Sequence, residues 1–115
     1  LKEARSMLEK WTQETNRCEV LNAKYDKYSL FWVLDVRSPK GKLWTVAFTH
    51  TTGYEDVEWR VLTRDANGYW QRHARGFITV PHRKMLKVYP QTVPDAIKFF
   101  HNTILPHILT HFPEF

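Results

Sequence analysis

The chain has 115 residues, of which 43% are apolar and 15% aromatic, and its formal net charge is +5. This size fits one domain, and the aromatic content excludes a disordered chain, because such chains cannot bury enough apolar area to offset the entropy of ordering. No apolar run approaches the roughly 20 residues of a membrane span, and no secretory leader is visible. We therefore expect a single domain, residues 1–115, with no membrane partner. The missing initiator methionine suggests a segment of a longer protein.

The chain contains one cysteine, Cys18, which excludes an intrachain disulfide. This usage is typical of a reducing compartment, so we expect an intracellular protein, cytoplasmic or nuclear. Cys18 also continues a helical apolar spacing, which predicts an amphipathic helix from about residue 2 to residue 20. The other apolar residues at that spacing are Ala4, Met7, Leu8 and Trp11. Residues 22–29 have the composition of a polar loop.

The middle of the chain predicts antiparallel strands. Two segments, 30–37 and 43–51, are rich in aromatic and β-branched residues and flank a turn that contains Pro39 and Gly41. A three-residue loop there would place Trp32 opposite Phe48, Leu34 opposite Val46 and Val36 opposite Trp44. Residues 57–64 alternate, and Asn67-Gly68 predicts a hairpin into a strand over 69–80, bent or bulged at Gly76. The predicted core comprises Trp32, Leu34, Val36, Trp44, Val46, Phe48, Trp59 and Val61.

The C-terminal region predicts a helix from Thr92, a capping hydroxyl followed by Pro94 and Asp95, to about Phe112. Pro106 should kink this helix, because it removes the hydrogen bond to the carbonyl of Asn102. The fold class is therefore α+β: an N-terminal helix, an antiparallel β-meander of four to five strands, and a kinked C-terminal helix.

The strongest functional signal is the segment 60–87, which holds seven Lys or Arg residues and one acid. If the hairpin closes regularly, Arg60 and Arg64 share a sheet face with the odd-numbered residues of the next strand. Those are Tyr69, Gln71, His73 and Arg75. Arg72 would then lie on the opposite face with Trp59 and Trp70.

A face of arginines, a tyrosine and a histidine predicts a nucleic-acid-binding module, with RNA or ssDNA favoured over a duplex because no helix is suited to the major groove. Phosphate contacts are assigned to Arg60, Arg64, Arg75, Arg83 and Lys84, and base stacking to Tyr69 and His73. Two alternatives stay open. The face could be a plain solvated surface, or it could meet an acidic protein partner.

We expect no catalytic activity, no cofactor and no metal. Cys18 and the serines lack any motif of a nucleophile. His107 and His111 have the spacing of two ligands on a helix, but no Glu separates them as in a metalloprotease helix, and no Cys is nearby in sequence. Asp35 and Glu58 could imitate the metal-binding acids of a nuclease, but isolated carboxylates often occur on strands by chance.

The segment 89–94, Tyr-Pro-Gln-Thr-Val-Pro, resembles the YPxxxP turn of the RWD and ubiquitin-conjugating folds, which also begin with a helix and a β-meander. The resemblance implies a non-catalytic protein-interaction domain, since Cys18 lies before the sheet and the conjugating cysteine would lie after it. The final helix is apolar around most of its circumference. Such a helix is either buried within the domain or forms a homodimer or a contact with a larger chain.

Overall fold

The computed structural model describes residues 18–51, 56–80 and 89–115. Five strands occupy the first two ranges: β1 Glu19–Asp26, β2 Phe31–Arg37, β3 Leu43–His50, β4 Asp56–Arg64 and β5 Trp70–Thr79. A helical segment follows, in three parts: α1 Val93–Phe99, a π turn Phe100–Ile104 and α2 Leu105–His111. The α+β class is thus confirmed.

The five strands form one antiparallel sheet in the order β1-β2-β3-β4-β5. Trp32 pairs with Phe48, and the two further predicted pairs of the β2–β3 hairpin are also confirmed. Gly41 in the first turn and Gly68 at the β4–β5 tip both have a φ of 83°, a conformation that residues with a Cβ rarely adopt. The two turns therefore lie at the glycines where the sequence predicted them.

The first strand corrects the sequence analysis. Residues 19–26 pair with β2 along their length, so neither a helix reaching residue 20 nor a loop over 22–29 is correct. A bulge between Val20 and Asn22 shifts the alternation, and β1 lies at the sheet edge with mostly half-buried or exposed side chains. Its apolar pattern is consequently weak. The rest of the predicted N-terminal helix, residues 1–17, lies outside the described residues.

The helical segment covers one face of the sheet, which we call the inner face. The core comprises Trp32, Leu34, Val36, Val46, Phe48, Val57, Trp59 and Val61 from the strands, Ala96, Phe99, Phe100, Ile104, Leu105 and Ile108 from the helical segment, and Phe112 and Phe115 after it. Seven of the eight predicted core residues are buried, whereas Trp44 is only partly so. Cys18 packs in the same core, and burial raises the pKa of its thiol to about 12. The thiol is therefore an unreactive apolar group.

The helical segment begins and changes winding where the sequence requires. The Thr92 side chain accepts a hydrogen bond from the Asp95 N–H at 3.3 Å, as a capping residue does. The π turn lies directly before Pro106, and the Leu105 N–H donates to the Phe100 carbonyl, five residues back. The interruption expected at Pro106 thus takes the form of a π turn. No helix among the described residues has the length and apolarity to span a membrane.

Trp59 is the point at which β4, β5 and the helix meet. Its indole Nε1–H donates to His107 Nδ1 at 2.8 Å, and its ring lies over Gly76 of β5. A Cβ at Gly76 would come within 3.0 Å of three ring atoms of Trp59. The bend or bulge expected at Gly76 is instead a register shift nearer the hairpin tip, between Val61 and Leu62. Gly76 is needed for close approach of the indole.

We expect Gly76→Ala to lower the free energy of unfolding by about 1–3 kcal/mol, because the added methyl group must displace the buried Trp59 ring. Urea denaturation monitored by tryptophan fluorescence measures the change. Gln71→Ala, an exposed position in the same strand, is the matched control and should change stability by less than about 0.5 kcal/mol. Equal effects of the two substitutions would contradict the close packing at Gly76.

The Trp59–His107 bond also predicts a pH dependence. Burial lowers the pKa of His107, with a further contribution from the charge of His111, and burial lowers the pKa of His101. The native state thus binds a proton at these histidines less readily than the unfolded chain does. The stability that the neutral histidines contribute is therefore fully present above about pH 6.5, and it is lost as the pH falls through their folded-state pKa. Protonated Nδ1 could no longer accept from Trp59.

Thermal unfolding between about pH 7.5 and pH 5 should therefore show a falling Tm, with a smaller fall in His107→Asn, whose amide oxygen can still accept from the indole. His111→Gln retains the Trp59–His107 bond and should keep most of the wild-type fall. A Tm profile unchanged by His107→Asn would assign the pH dependence to other groups.

Candidate nucleic-acid interface

The face of the sheet opposite the helix, which we call the outer face, carries the basic residues. Alternation along β2 and β4 places Phe31, Val33, Asp35, Glu58, Arg60, Leu62 and Arg64 there. Their cross-strand partners on β5 are Trp70, Arg72, Arg75 and Phe77, and Lys24 of β1 lies opposite Val33. The outer face therefore combines five cationic side chains with three aromatic rings.

The register between β4 and β5 corrects the predicted composition of this face. Arg75 pairs with Arg60 as expected, but Leu62 pairs with Arg72 and Arg64 pairs with Trp70, because β5 has one extra residue at His73. An extra residue reverses the alternation on the hairpin side of the bulge. Arg72 and Trp70, expected on the inner face, therefore join the arginines on the outer face.

Neither residue expected to stack bases belongs to the outer face. The His73 ring lies 5.2 Å from the Trp44 ring, and its Nε2 is 2.6 Å from Thr63 Oγ1, so it faces the inner side. Tyr69 is 71% exposed beside the hairpin tip. Arg83 and Lys84 lie outside the described residues. Of the seven predicted site residues, the structure thus brings together Arg60, Arg64 and Arg75.

Each of these three arginines rests on an aromatic ring. The Arg64 guanidinium carbon lies 4.0 Å from the centre of the Trp70 ring, Arg60 lies 4.9 Å from Phe31, and Arg75 lies 5.0 Å from Phe77. Such contacts hold the guanidinium planes and leave their N–H edges directed away from the ring. The N–H edges are the groups that bind phosphate oxygens.

Glu58 neutralises one end of the outer face. It is buried, with 8% of its surface exposed, and its carboxylate accepts from Arg60 Nε, from Arg75 Nε at 3.2 Å and from Arg75 Nη2 at 3.3 Å. Among the described residues, Lys24, Arg64 and Arg72 form no ion pair, and of the three the charge of Lys24 interacts with the nearby Asp26 carboxylate. The uncompensated positive charge therefore lies at the Arg64 end.

The outer face is hollowed at that end. Two adjoining hollows, of about 550 Å³ and about 250 Å³, form what we call the outer groove. Both are lined by Lys24, Val33, Leu62, Arg64 and Trp70. The Arg64–Trp70 stack is thus a wall common to the two hollows, with apolar residues beneath it and cations at its rim.

The geometry does not assemble the nuclease-like pair of acids. Asp35 lies opposite Thr45 and accepts from its Oγ1 at 2.9 Å, whereas Glu58 lies opposite Thr49. Four residues of an extended strand span about 13 Å, so the two carboxylates cannot share one ion. Glu58 is also already occupied by two arginines.

His107 and His111 likewise have other roles. Their rings stack 4.0 Å apart at 18°, His107 Nδ1 accepts from Trp59, and His111 Nδ1 is 2.9 Å from the His107 carbonyl. Nearly parallel rings direct their lone pairs side by side rather than to one point. In the part of the chain that the structure describes, no three His, Cys, Asp or Glu side chains converge as a metal site would require.

Comparison with protein-family models, curated proteins and solved structures finds no match to this chain. The functional interpretation consequently depends on the residues of the outer face.

The position of Glu58 predicts its contribution to stability. Glu58→Gln should lower the free energy of unfolding by about 1 kcal/mol, because it removes a buried charge that pairs with two arginines. Both arginines are partly exposed, so water screens these ion pairs only in part. Urea denaturation measures the change. The matched control is Glu19→Gln, since the Glu19–Arg37 pair is exposed on both sides and should contribute a few tenths of a kcal/mol at most. Equal losses would show that Glu58 behaves as a surface residue.

Proposed function

We propose that this protein is a non-enzymatic nucleic-acid-binding module that holds single-stranded RNA or ssDNA along the outer groove. The single observation that carries the proposal is the Arg64–Trp70 stack, which stands between two hollows beside cations without carboxylate partners. A positive groove combined with aromatic surface is the common arrangement for binding single strands. The intracellular location expected from the lone, buried Cys18 fits such a ligand.

The roles follow from charge and position. Arg64, Arg72 and Lys24 would contact phosphates, since none of them forms an ion pair within the described residues. Arg60 and Arg75 would contribute less, because Glu58 shares their N–H groups. Trp70, which is 46% exposed, would replace Tyr69 and His73 as the stacking residue.

A single strand suits this surface better than a duplex. Reading a duplex in the major groove requires a protruding helix or ribbon. The described helix is packed against the inner face, and most of its apolar residues are buried there. The same packing offers little support for a homodimer formed through the last helix, because the apolar side chains that such a contact would use lie in the core.

The test is fluorescence anisotropy with labelled single-stranded RNA, ssDNA and duplex DNA at about 0.15 M salt, where non-specific binding is typically micromolar or weaker. The variant Arg64→Glu/Arg72→Glu should weaken binding strongly and make the remaining binding less dependent on salt, because two phosphate contacts become repulsive. The matched control is Lys40→Glu/Lys98→Glu. It also reverses two charges at exposed positions, but on the helix side of the sheet. Lys98 lies in α1, and Lys40 Nζ donates to the Pro113 carbonyl that follows the helical segment.

Any of three results would overturn the proposal. Wild-type protein that binds none of the three nucleic acids even at low salt would favour the rival, an acidic protein partner on the same face. Equal losses in the two double variants would show that net charge, rather than the outer groove, determines binding. Preference for the duplex over both single strands would contradict the assignment of the ligand.

A further inference from the structure

The smaller hollow of the outer groove has an apolar floor, an unusual feature for a surface that binds only phosphates. Its floor is formed by Phe31, Val33, Ala47 and Leu62, and Trp70 stands at its side. Ala47 pairs with Val33 on β2 and with Arg60 on β4, so it lies in the middle of this floor, and only 5% of its surface is exposed. Phosphate groups gain nothing from such a floor, since they are fully hydrated anions.

The rim of the same hollow is cationic. Lys24, Arg60 and Arg64 line it, and the last two stand on opposite sides as residues four apart on β4. Residues four apart on a strand point to the same face and are separated by about 13 Å. The hollow therefore suits a ligand whose centre is flat and apolar and whose flanking groups are anionic. A nucleotide with an unpaired base between two phosphates has this form.

One corner of the hollow is acidic, which gives the ligand an orientation. The Asp26 carboxylate accepts from the Tyr28 N–H at 3.0 Å and from Ser29 Oγ at 2.8 Å, and both bonds lower its pKa. An ionised carboxylate repels phosphates but accepts from the amino groups of bases. The phosphates would thus lie toward the arginines and the base edge toward Asp26.

We propose that the smaller hollow is a nucleobase site, in which one unpaired base lies on Ala47 and Leu62 between Arg60 and Arg64. This inference rests on the proposed function, and it adds the place on the sheet where one base is bound. It explains why a basic face carries an apolar depression beside Arg64, an arginine that forms no ion pair within the described residues.

The experiment compares a labelled ssDNA oligonucleotide with an abasic oligonucleotide of the same length and backbone charge, by anisotropy at one salt concentration. Wild-type protein should bind the base-bearing strand on the order of tenfold more tightly, the contribution expected from one stacked base. Ala47→Leu fills the floor without changing charge. It should reduce this preference to what stacking on Trp70 alone provides, while leaving the affinity for the abasic strand unchanged, which also shows that the variant is folded.

Tyr69→Ala, which removes an exposed aromatic ring outside the hollow, is the matched control and should keep the wild-type preference. Equal affinity of wild-type protein for the two strands would overturn the nucleobase site but leave the proposed function in place. A preference that Ala47→Leu leaves at its wild-type size would also overturn it. Absence of binding to either strand would overturn both proposals, and binding of a fluorescent fatty acid instead would identify the hollow as a site for anionic amphiphiles.

Discussion

The burial of Trp59 is the constraint on which the arrangement of the sheet depends. Its indole is 1% exposed, bonded to His107 of the helical segment and seated over Gly76 of β5. Because side chains alternate along a strand, fixing Trp59 inward fixes Glu58 and Arg60 outward. A slip by one residue would bury two charged groups and expose the largest core side chain. The same packing that stabilises the domain therefore determines which residues form its outer face.

The sequence predicted elements wherever alternation was strong. The β2–β3 register could be derived because a three-residue loop makes all three facing pairs on one side apolar, whereas a slip by one residue would mix apolar and polar residues on both faces. The edge strand β1 could not, because a bulge breaks its period and its polar residues resemble a loop. Helical spacing over residues 2–20 then competed with a strand signal that was too weak to detect. The Thr92 cap was predicted correctly because capping depends on local chemistry alone.

The outer face was predicted in part for a related reason. Arg60 and Arg75 could be placed on one face because they pair directly, on the side of the bulge where the alternation follows that of the core residues. The bulge at His73 could not be located, because it lies in a polar run, Gln71, Arg72 and His73, in which a shift by one residue changes no apolar burial visible in the sequence. Trp70 was consequently assigned to the core, where tryptophan is usually found, although it lies under Arg64 on the outer face. The available signal for the outer face was the position of Trp70 next to the hairpin tip, outside the segment in which the alternation is strict.

The two ends of the outer face differ in whether a carboxylate neutralises their arginines. At one end, the buried Glu58 holds the partly exposed Arg60 and Arg75 in an arrangement that depends on cross-strand geometry and could not be predicted from spacing. At the other end, Arg64 is held mainly by its contact with Trp70 and by a 3.2 Å bond to the Gly68 carbonyl, neither of which neutralises its charge. A side chain already immobilised loses less conformational entropy when it binds a ligand. A charged group that is held in place but not neutralised is therefore the economical arrangement for binding an anion, and in the described sheet it occurs beside the outer groove.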